Sequence, residues 1–209
     1  MLSLTHSPVT QFAYKGKIYD IDLAFDTVLL YMQLQEDQDI KPETKWLQSL
    51  KLFFGKQELP SDPNFYLKSF ELIQKVITDT PYGVKEERGV EATKQFDYVR
   101  DAGAIYASFF DQYGIDLNKE RGKMHWDTFK ALLDGLGPNT YFQRILAIRR
   151  EDSSKIEDPT AKQDLLDAQN YYAVDGSKTA AELQAQALNS GSLSGLFDSL
   201  LSSAQKGGN

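Results

Sequence analysis

Along most of the chain, segments with apolar residues at helical spacing alternate with short polar, glycine- or proline-containing breaks. Seven segments place apolar side chains three or four positions apart, the repeat that gathers them on one face of an α-helix. We expect helices at about residues 22–35, 42–55, 63–77, 97–113, 125–136, 140–150 and 158–173. The pattern therefore predicts a mainly α-helical, bundle-like fold.

Capping residues support several of these helix ends. The pairs Asp62-Pro63 and Asp158-Pro159 each combine a favoured N-cap with a proline suited to the first helical turn, and Pro42 is placed to begin a helix. Gly55 follows the last apolar residue of its segment, where glycine commonly ends a helix. These signals fix where helices begin more firmly than periodicity alone.

Residues 11–22, QFAYKGKIYDID, predict a different structure. They are rich in aromatic residues and isoleucine and are interrupted at Lys15-Gly16, which is the pattern of a short β-hairpin that turns there. A two-stranded hairpin is marginal alone, so we expect it to lean on the helices.

The large apolar residues on the helical faces predict one core. Those that we expect to be buried together are Trp46, Ile105, Phe109, Trp126, Phe129 and Ile145. His125 precedes Trp126 and is placed to lie near the start of a helix, so we expect it to have a structural role.

Composition changes after about residue 175, which predicts a helical domain over residues 1–175 and a flexible tail over 176–209. The tail is rich in Ser, Gly and Ala, but it holds one apolar stripe at helical spacing within a short predicted helix at about 192–203. The stripe consists of Leu193, Leu196, Phe197, Leu200 and Leu201.

So short a helix is marginal in isolation and needs a surface to dock on. Its dock is either the body of this protein or another chain, and a frayed terminus without a role is a third reading. The Ser- and Gly-rich tether favours a partner chain, so we predict the five residues of the stripe as partner-binding.

Charge and composition exclude several classes of function. The net charge of −7 argues against a nucleic-acid surface, because binding phosphates needs a concentrated excess of Lys and Arg. The chain has no cysteine, which excludes disulfides and thiolate metal sites. Its first residues lack the pattern of a secretory signal, and its apolar runs are too short to cross a membrane. The sequence therefore predicts a cytoplasmic protein that binds neither nucleic acid nor membrane.

A search for catalytic or metal-binding motifs finds one near match. Asp116, Asn118, Glu120 and Asp127 fall at positions 1, 3, 5 and 12 of a calcium loop, but Arg121 occupies the position that needs glycine. A polar interhelix loop is the favoured interpretation. We predict no catalytic, cofactor-binding or metal-binding residues, and expect a binding or assembly protein rather than an enzyme.

Several segments, taken in their order along the chain, resemble the phage gene-product-fifteen family, found in long-tailed phages and prophages of Gram-positive bacteria. The motifs that carry the resemblance are KGKIYDID near the start, LKLFFG at 50–55, IYASFFDQYGIDL at 105–117 and MHWDTFKALLDGL at 124–136. The resemblance spans about residues 11–175 and leaves the tail unexplained.

The resemblance implies a siphophage tail assembly chaperone that binds the tape measure protein and keeps it soluble in the host cell cytoplasm. An upstream tail chaperone, the major tail protein and a second copy of this chain are further candidate partners. A structural tail or connector component retained in the virion is the alternative function.

Overall fold

The computed structural model describes residues 2–80 and 95–174 of the chain, which divides into two compact units. Of the described residues, 2–80 and 101–141 form the first unit, and 95–100 and 142–174 form the second. The described strands and helices are β1 (Gln11–Tyr14), β2 (Lys17–Asp20), α1 (Phe25–Glu36), α2 (Pro42–Phe54), α3 (Pro63–Thr78), α4 (Ala102–Tyr113), α5 (Trp126–Asp134), α6 (Tyr141–Arg150) and α7 (Pro159–Tyr171). The predicted mainly helical fold with an N-terminal hairpin is confirmed.

The hairpin turns at the predicted residues. Strands β1 and β2 pair antiparallel, with Gln11 opposite Asp20 and Tyr14 opposite Lys17. The two turn residues, Lys15 and Gly16, both have positive φ, 47° and 78°. Positive φ at both central positions is the geometry of the two-residue turn whose twist matches the strands, and Gly16 adopts it without steric cost.

Aromatic packing against α3 supports the hairpin. Phe65 of α3 is fully buried, and its ring centroid lies 5.6 Å from that of Phe12, 5.5 Å from Tyr14 and 4.7 Å from Tyr19. All three contacts are edge-on, an arrangement that aromatic rings favour. The hairpin thus leans on a helix, as its length required.

The core of the first unit is a stack of aromatic rings centred on α5. Phe129 stacks on Phe25 of α1 at 4.9 Å, on Phe109 of α4 at 5.3 Å and on Trp126 at 5.6 Å. Trp126, Phe109 and Phe129 are each at most 1% exposed, and Ile105 is also buried. The prediction is confirmed for these four residues.

One residue predicted to lie in the core does not. Trp46 of α2 exposes 42% of its surface, so its assignment to the core was wrong. Ile145 is buried, as predicted, and it belongs to the second unit.

Two predicted helix starts also shift, for local reasons. The predicted helix at 97–113 begins at Ala102, because the Asp97 carboxylate accepts hydrogen bonds from the amides of Val99 and Arg100 and holds a turn there. The first helix begins at Phe25 rather than near Asp22. The amide of Phe25 donates a hydrogen bond to the carbonyl of Met124, far along the chain. This bond gives a partner to one of the amide groups that the start of α1 leaves without an intrahelical acceptor.

The second unit is held together by contacts between its first segment, α6 and α7. Phe96 packs edge-on against the buried Phe142 at 5.4 Å. Arg149 donates to the Tyr172 carbonyl at 2.6 Å and to the Gln95 carbonyl at 3.2 Å. A cation at the carbonyl end of α7 complements that helix's dipole, so Arg149 ties the elements of this unit together.

Candidate functional site

The five residues predicted to bind a partner, Leu193, Leu196, Phe197, Leu200 and Leu201, lie outside the described residues. Their prediction stands as it was made. Within the described chain, the search for a binding site turns to large apolar side chains that the fold leaves in water.

An exposed apolar surface lies where α2 meets α3. The Trp46 ring is 4.5 Å from Phe70 and 6.0 Å from Tyr66, both on α3. Despite these contacts 42% of Trp46 is exposed, as is 57% of Leu47 and 59% of Leu67, which lies one turn before Phe70. We call Trp46, Leu47, Tyr66, Leu67 and Phe70 together the α2–α3 aromatic surface.

This surface exists because the apolar stripe of α2 extends beyond the core. At the C-terminal end of α2, Phe53 and Phe54 are almost completely buried. Further toward its start, Ser49 is buried, donates to the Lys45 carbonyl and accepts from the Gln35 amide group. A small hydroxyl thus occupies the contact with α1, and the large side chains before it are only partly covered.

The chemistry of this surface suits a partner with an apolar face. Trp and Tyr contribute large, rigid, amphipathic contact area, and such residues dominate the binding energy of protein interfaces. Leu47 and Leu67 add aliphatic surface, and removing such surface from water is favourable by about 25 cal/mol per Å². A surface of this composition is suited to contact with an apolar face of another molecule.

His125 joins α5 to the N-terminal segment. Its Nδ1 accepts a hydrogen bond from the Asp127 amide at 3.1 Å, which caps α5 as the sequence position indicated. A ring nitrogen that accepts carries no proton, so Nε2 is the donor of the hydrogen bond to the Val9 carbonyl at 2.9 Å. Both nitrogens are therefore used in structural hydrogen bonds.

Lys130 completes a polar cluster at the end of α3. Its ammonium donates to the carbonyls of Val76 and Asp79 at 3.0 and 2.9 Å and lies 3.6 Å from the Asp127 carboxylate. The Trp126 indole adds a hydrogen bond to the Ile77 carbonyl at 3.2 Å. Carbonyls that a helix end leaves without intrahelical partners are thereby satisfied, and the cluster is structural.

The calcium-like segment does not bring its carboxylates together. Asp116 accepts from the Tyr106 hydroxyl and the Asn118 amide, and its carboxylate lies 3.4 Å from the Lys119 ammonium. Asp127 belongs instead to the buried cluster with Lys130. Across residues 2–80 and 95–174, no group of three or more His, Cys, Asp or Glu side chains is placed to hold a metal ion.

A second charged cluster fixes the hairpin to α3. The Asp62 carboxylate accepts hydrogen bonds from the Tyr14 hydroxyl at 2.6 Å, the Lys15 ammonium at 2.7 Å and the Asn64 amide at 3.0 Å. These three donors, Lys15 foremost, hold the pKa of the Asp62 carboxyl well below its ordinary value. The hydrogen bond to Asp62 also raises the pKa of Tyr14.

Sequence reasoning missed the α2–α3 aromatic surface because Trp46 continues the same stripe as Phe53. Periodicity shows which side chains share a face, but not how far along the helix a neighbour covers that face. The available signal was Ser49, a small polar residue in the middle of the stripe.

In the part of the chain that the structure describes, no helix combines the length and apolar character needed to cross a membrane.

No curated protein and no solved structure matches the chain significantly. A family whose description is "Bacteriophage Gp15 protein" matches residues 5–174, most of the chain. The protein therefore belongs to the bacteriophage Gp15 family.

Proposed function

We propose that this protein is a tail assembly chaperone that binds the tape measure protein and keeps it soluble while the phage tail is built. Its family membership makes it a phage structural or assembly protein. The observation that carries the finer proposal is the α2–α3 aromatic surface, where Trp46 and Leu47 remain largely exposed on an otherwise packed pair of helices.

The physical argument rests on what a tape measure protein needs. A very long helical protein with apolar stripes aggregates through those stripes unless something covers them. An exposed surface of aromatic and aliphatic side chains can cover an apolar helical face, and the net charge of −7 keeps such a complex in solution. Binding, rather than catalysis, is the activity that we propose.

The tail stripe enters the proposal as a second contact. A tether that carries a short amphipathic helix can fold on a partner, so Leu193, Leu196, Phe197, Leu200 and Leu201 would add contact area beyond the α2–α3 aromatic surface.

The test is co-expression with the tape measure protein of the same phage. We expect the soluble fraction of the tape measure protein to rise with the full chain and the two proteins to co-purify. If the tape measure protein stays insoluble at every expression ratio, or is equally soluble alone, the proposed function is wrong.

The tail contact is tested in the same assay with matched substitutions. Phe197→Asp combined with Leu200→Asp places charge on the apolar stripe. Ser199→Asp combined with Ser202→Asp adds the same charge to the opposite side of the predicted helix. We expect the first pair to reduce co-purification and the second to leave it unchanged; equal effects would rule out the stripe as a contact.

Retention in the virion would make the protein a structural tail or connector component instead. Mass spectrometry of purified particles separates the two functions, because a chaperone is released when assembly ends. We expect the protein to be absent from particles, and stoichiometric copies per tail would contradict the proposal.

A further inference from the structure

We propose that the α2–α3 aromatic surface binds an amphipathic α-helix whose apolar stripe ends in lysine or arginine, with that cationic end lying over the start of α2. This inference rests on the proposed function, since it names the surface through which a helical client is held. Its test, however, needs no client protein.

The apolar part of the proposal comes from the geometry of Trp46 and its neighbours. Trp46 and Leu47 are consecutive on α2, and Leu67 and Phe70 lie one turn apart on α3. Apolar side chains presented by two neighbouring helices offer contacts to side chains spaced three or four residues apart, which is how amphipathic helices are recognised. The large exposed fractions of Leu47 and Leu67 leave room for those contacts.

The charge beside this surface selects the partner's sign. Residues 36–45, which lead into and begin α2, hold four carboxylates and two lysines. Glu43 is exposed and lies one turn before both Trp46 and Leu47 on the same side of α2. The hydrogen bond from the Lys45 ammonium to the Gln35 carbonyl, at 2.6 Å, holds that cation toward the end of α1, and the four carboxylates still outnumber the two lysines. The start of α2 is therefore an acidic edge.

The other edges do not reverse this sign. On α3, Lys68 and Glu71 are both exposed and have opposite charges. Lys51 lies one turn beyond Leu47, at the far end of the surface. The acidic edge is thus confined to the α2 start, so the partner's cations belong at one end of its stripe. Complementary charge of this kind orients a partner and speeds its association.

The experiment uses the full-length protein and two synthetic helical peptides with the same leucine stripe. One peptide carries lysines at one end of the stripe, and the other carries glutamates there. Binding is measured by isothermal titration calorimetry and by acrylamide quenching of tryptophan fluorescence. Trp126 is 1% exposed and Trp46 is 42% exposed, so changes in quenching report on Trp46. We expect the lysine peptide to bind and to protect Trp46, and the glutamate peptide to bind about tenfold or more weakly.

Matched variants separate the surface from general attraction to an acidic protein. Leu47→Asp and Phe110→Asp each add one negative charge at a side chain that is 57% exposed, on α2 and on α4 respectively. We expect Leu47→Asp to lower the affinity for the lysine peptide about tenfold or more, and Phe110→Asp to leave that affinity unchanged. Equal affinities for the two variants would overturn the proposed surface.

The charge argument has its own matched pair. Asp39→Asn with Glu43→Gln removes two charges at the start of α2, and Glu157→Gln with Asp164→Asn removes two exposed charges in the second unit. We expect only the first pair to weaken binding of the lysine peptide and to make that binding less dependent on salt concentration. Equal binding of both peptides, or equal effects of both pairs, would overturn the selection by charge.

Other occupants of the surface give distinct outcomes that would also overturn the proposal. Concentration-dependent dimerisation lost in Leu47→Asp would assign the surface to a second copy. Protection of Trp46 by a peptide of residues 190–206, but not by the lysine peptide, would assign it to the protein's own tail. Failure of the tape measure co-expression with intact peptide binding would refute the proposed function and leave the surface standing.

Discussion

The two tryptophans of the chain both lie on amphipathic helices but differ in how much of each side chain is exposed. Trp126 of α5 is 1% exposed, stacks on Phe129 and donates its indole hydrogen bond to the Ile77 carbonyl. Trp46 of α2 contacts two aromatic rings, yet 42% of it faces water. The local patterns are alike, so the difference lies in what covers each helix.

Coverage differs because three elements converge on α5 and fewer reach the start of α2. Phe129 lies between rings from α1 and α4, and Lys130 on the same helix holds the end of α3. At Trp46 the described contacts are two rings of α3. The buried Trp126 contributes to stability, and the exposed Trp46 belongs to the surface that we propose for binding.

The largest effect is expected at the centre of the stack. Phe129→Ala removes a ring that packs on three others and leaves a cavity, which should lower the free energy of unfolding by on the order of 3–5 kcal/mol. Chemical denaturation followed by far-UV circular dichroism measures it. Wild-type stability combined with loss of a partner would mean that this stack is a binding face and that the comparison is reversed.

Lys130→Met should have the next largest effect. The substitution keeps the apolar stem but removes the donor for carbonyls at the end of α3 and leaves the buried Asp127 without that cation. We expect a loss of about 2–3 kcal/mol, the cost of leaving such groups unsatisfied. Lys68→Met on the exposed side of α3 is the control and should stay within about 0.5 kcal/mol of wild type. Equal losses of unfolding free energy in the two variants would show that the hydrogen bonds of Lys130 do not stabilise the fold.

Sequence reasoning predicted the parts of the fold that local chemistry determines. The Lys15-Gly16 turn, the caps at Asp62 and Asp158 and the buried faces of α4 and α5 follow from turn geometry, capping and periodicity. Trp46 shows where this reasoning fails, because exposure depends on how many neighbours reach a helix, which its own sequence does not encode.

The same limit applies to polar groups. The sequence placed His125 at a helix start but gave no sign that its ring would bind the Val9 carbonyl, 116 residues away. Lys130 gave no signal at all, since a lysine on an amphipathic helix is usually solvated. Both interactions depend on tertiary packing.

Trp46→Ala tests the open side of the comparison. Since the ring is only partly covered, its removal should cost roughly 1–2 kcal/mol, well below the cost at Phe129. The measurement is the same denaturation series, with peptide binding as a second readout. A loss as large as that of Phe129→Ala would make Trp46 a core residue and remove the distinction between the two helices.

The smallest effect is expected where polar contacts are most exposed, at the start of α3. Lys15 is 73% exposed beside Asp62, whereas the Lys130 side chain at the other end of α3 is 20% exposed, so water screens the first pair more strongly. The pKa of Asp62 is lowered in the folded protein, first by Lys15 and then by Tyr14.

A lowered carboxyl pKa contributes stability that is fully present above the unfolded-state value of about 3.9 and is lost as the pH falls toward the folded-state pKa. Asp62→Asn should therefore be less stable than wild type at neutral pH, and the difference should shrink steadily below about pH 4. Tyr14→Phe removes one of the donors and should show a smaller deficit with the same trend. Denaturation measured at a series of pH values tests this, and a deficit for Asp62→Asn that grows on acidification would refute the assigned interaction.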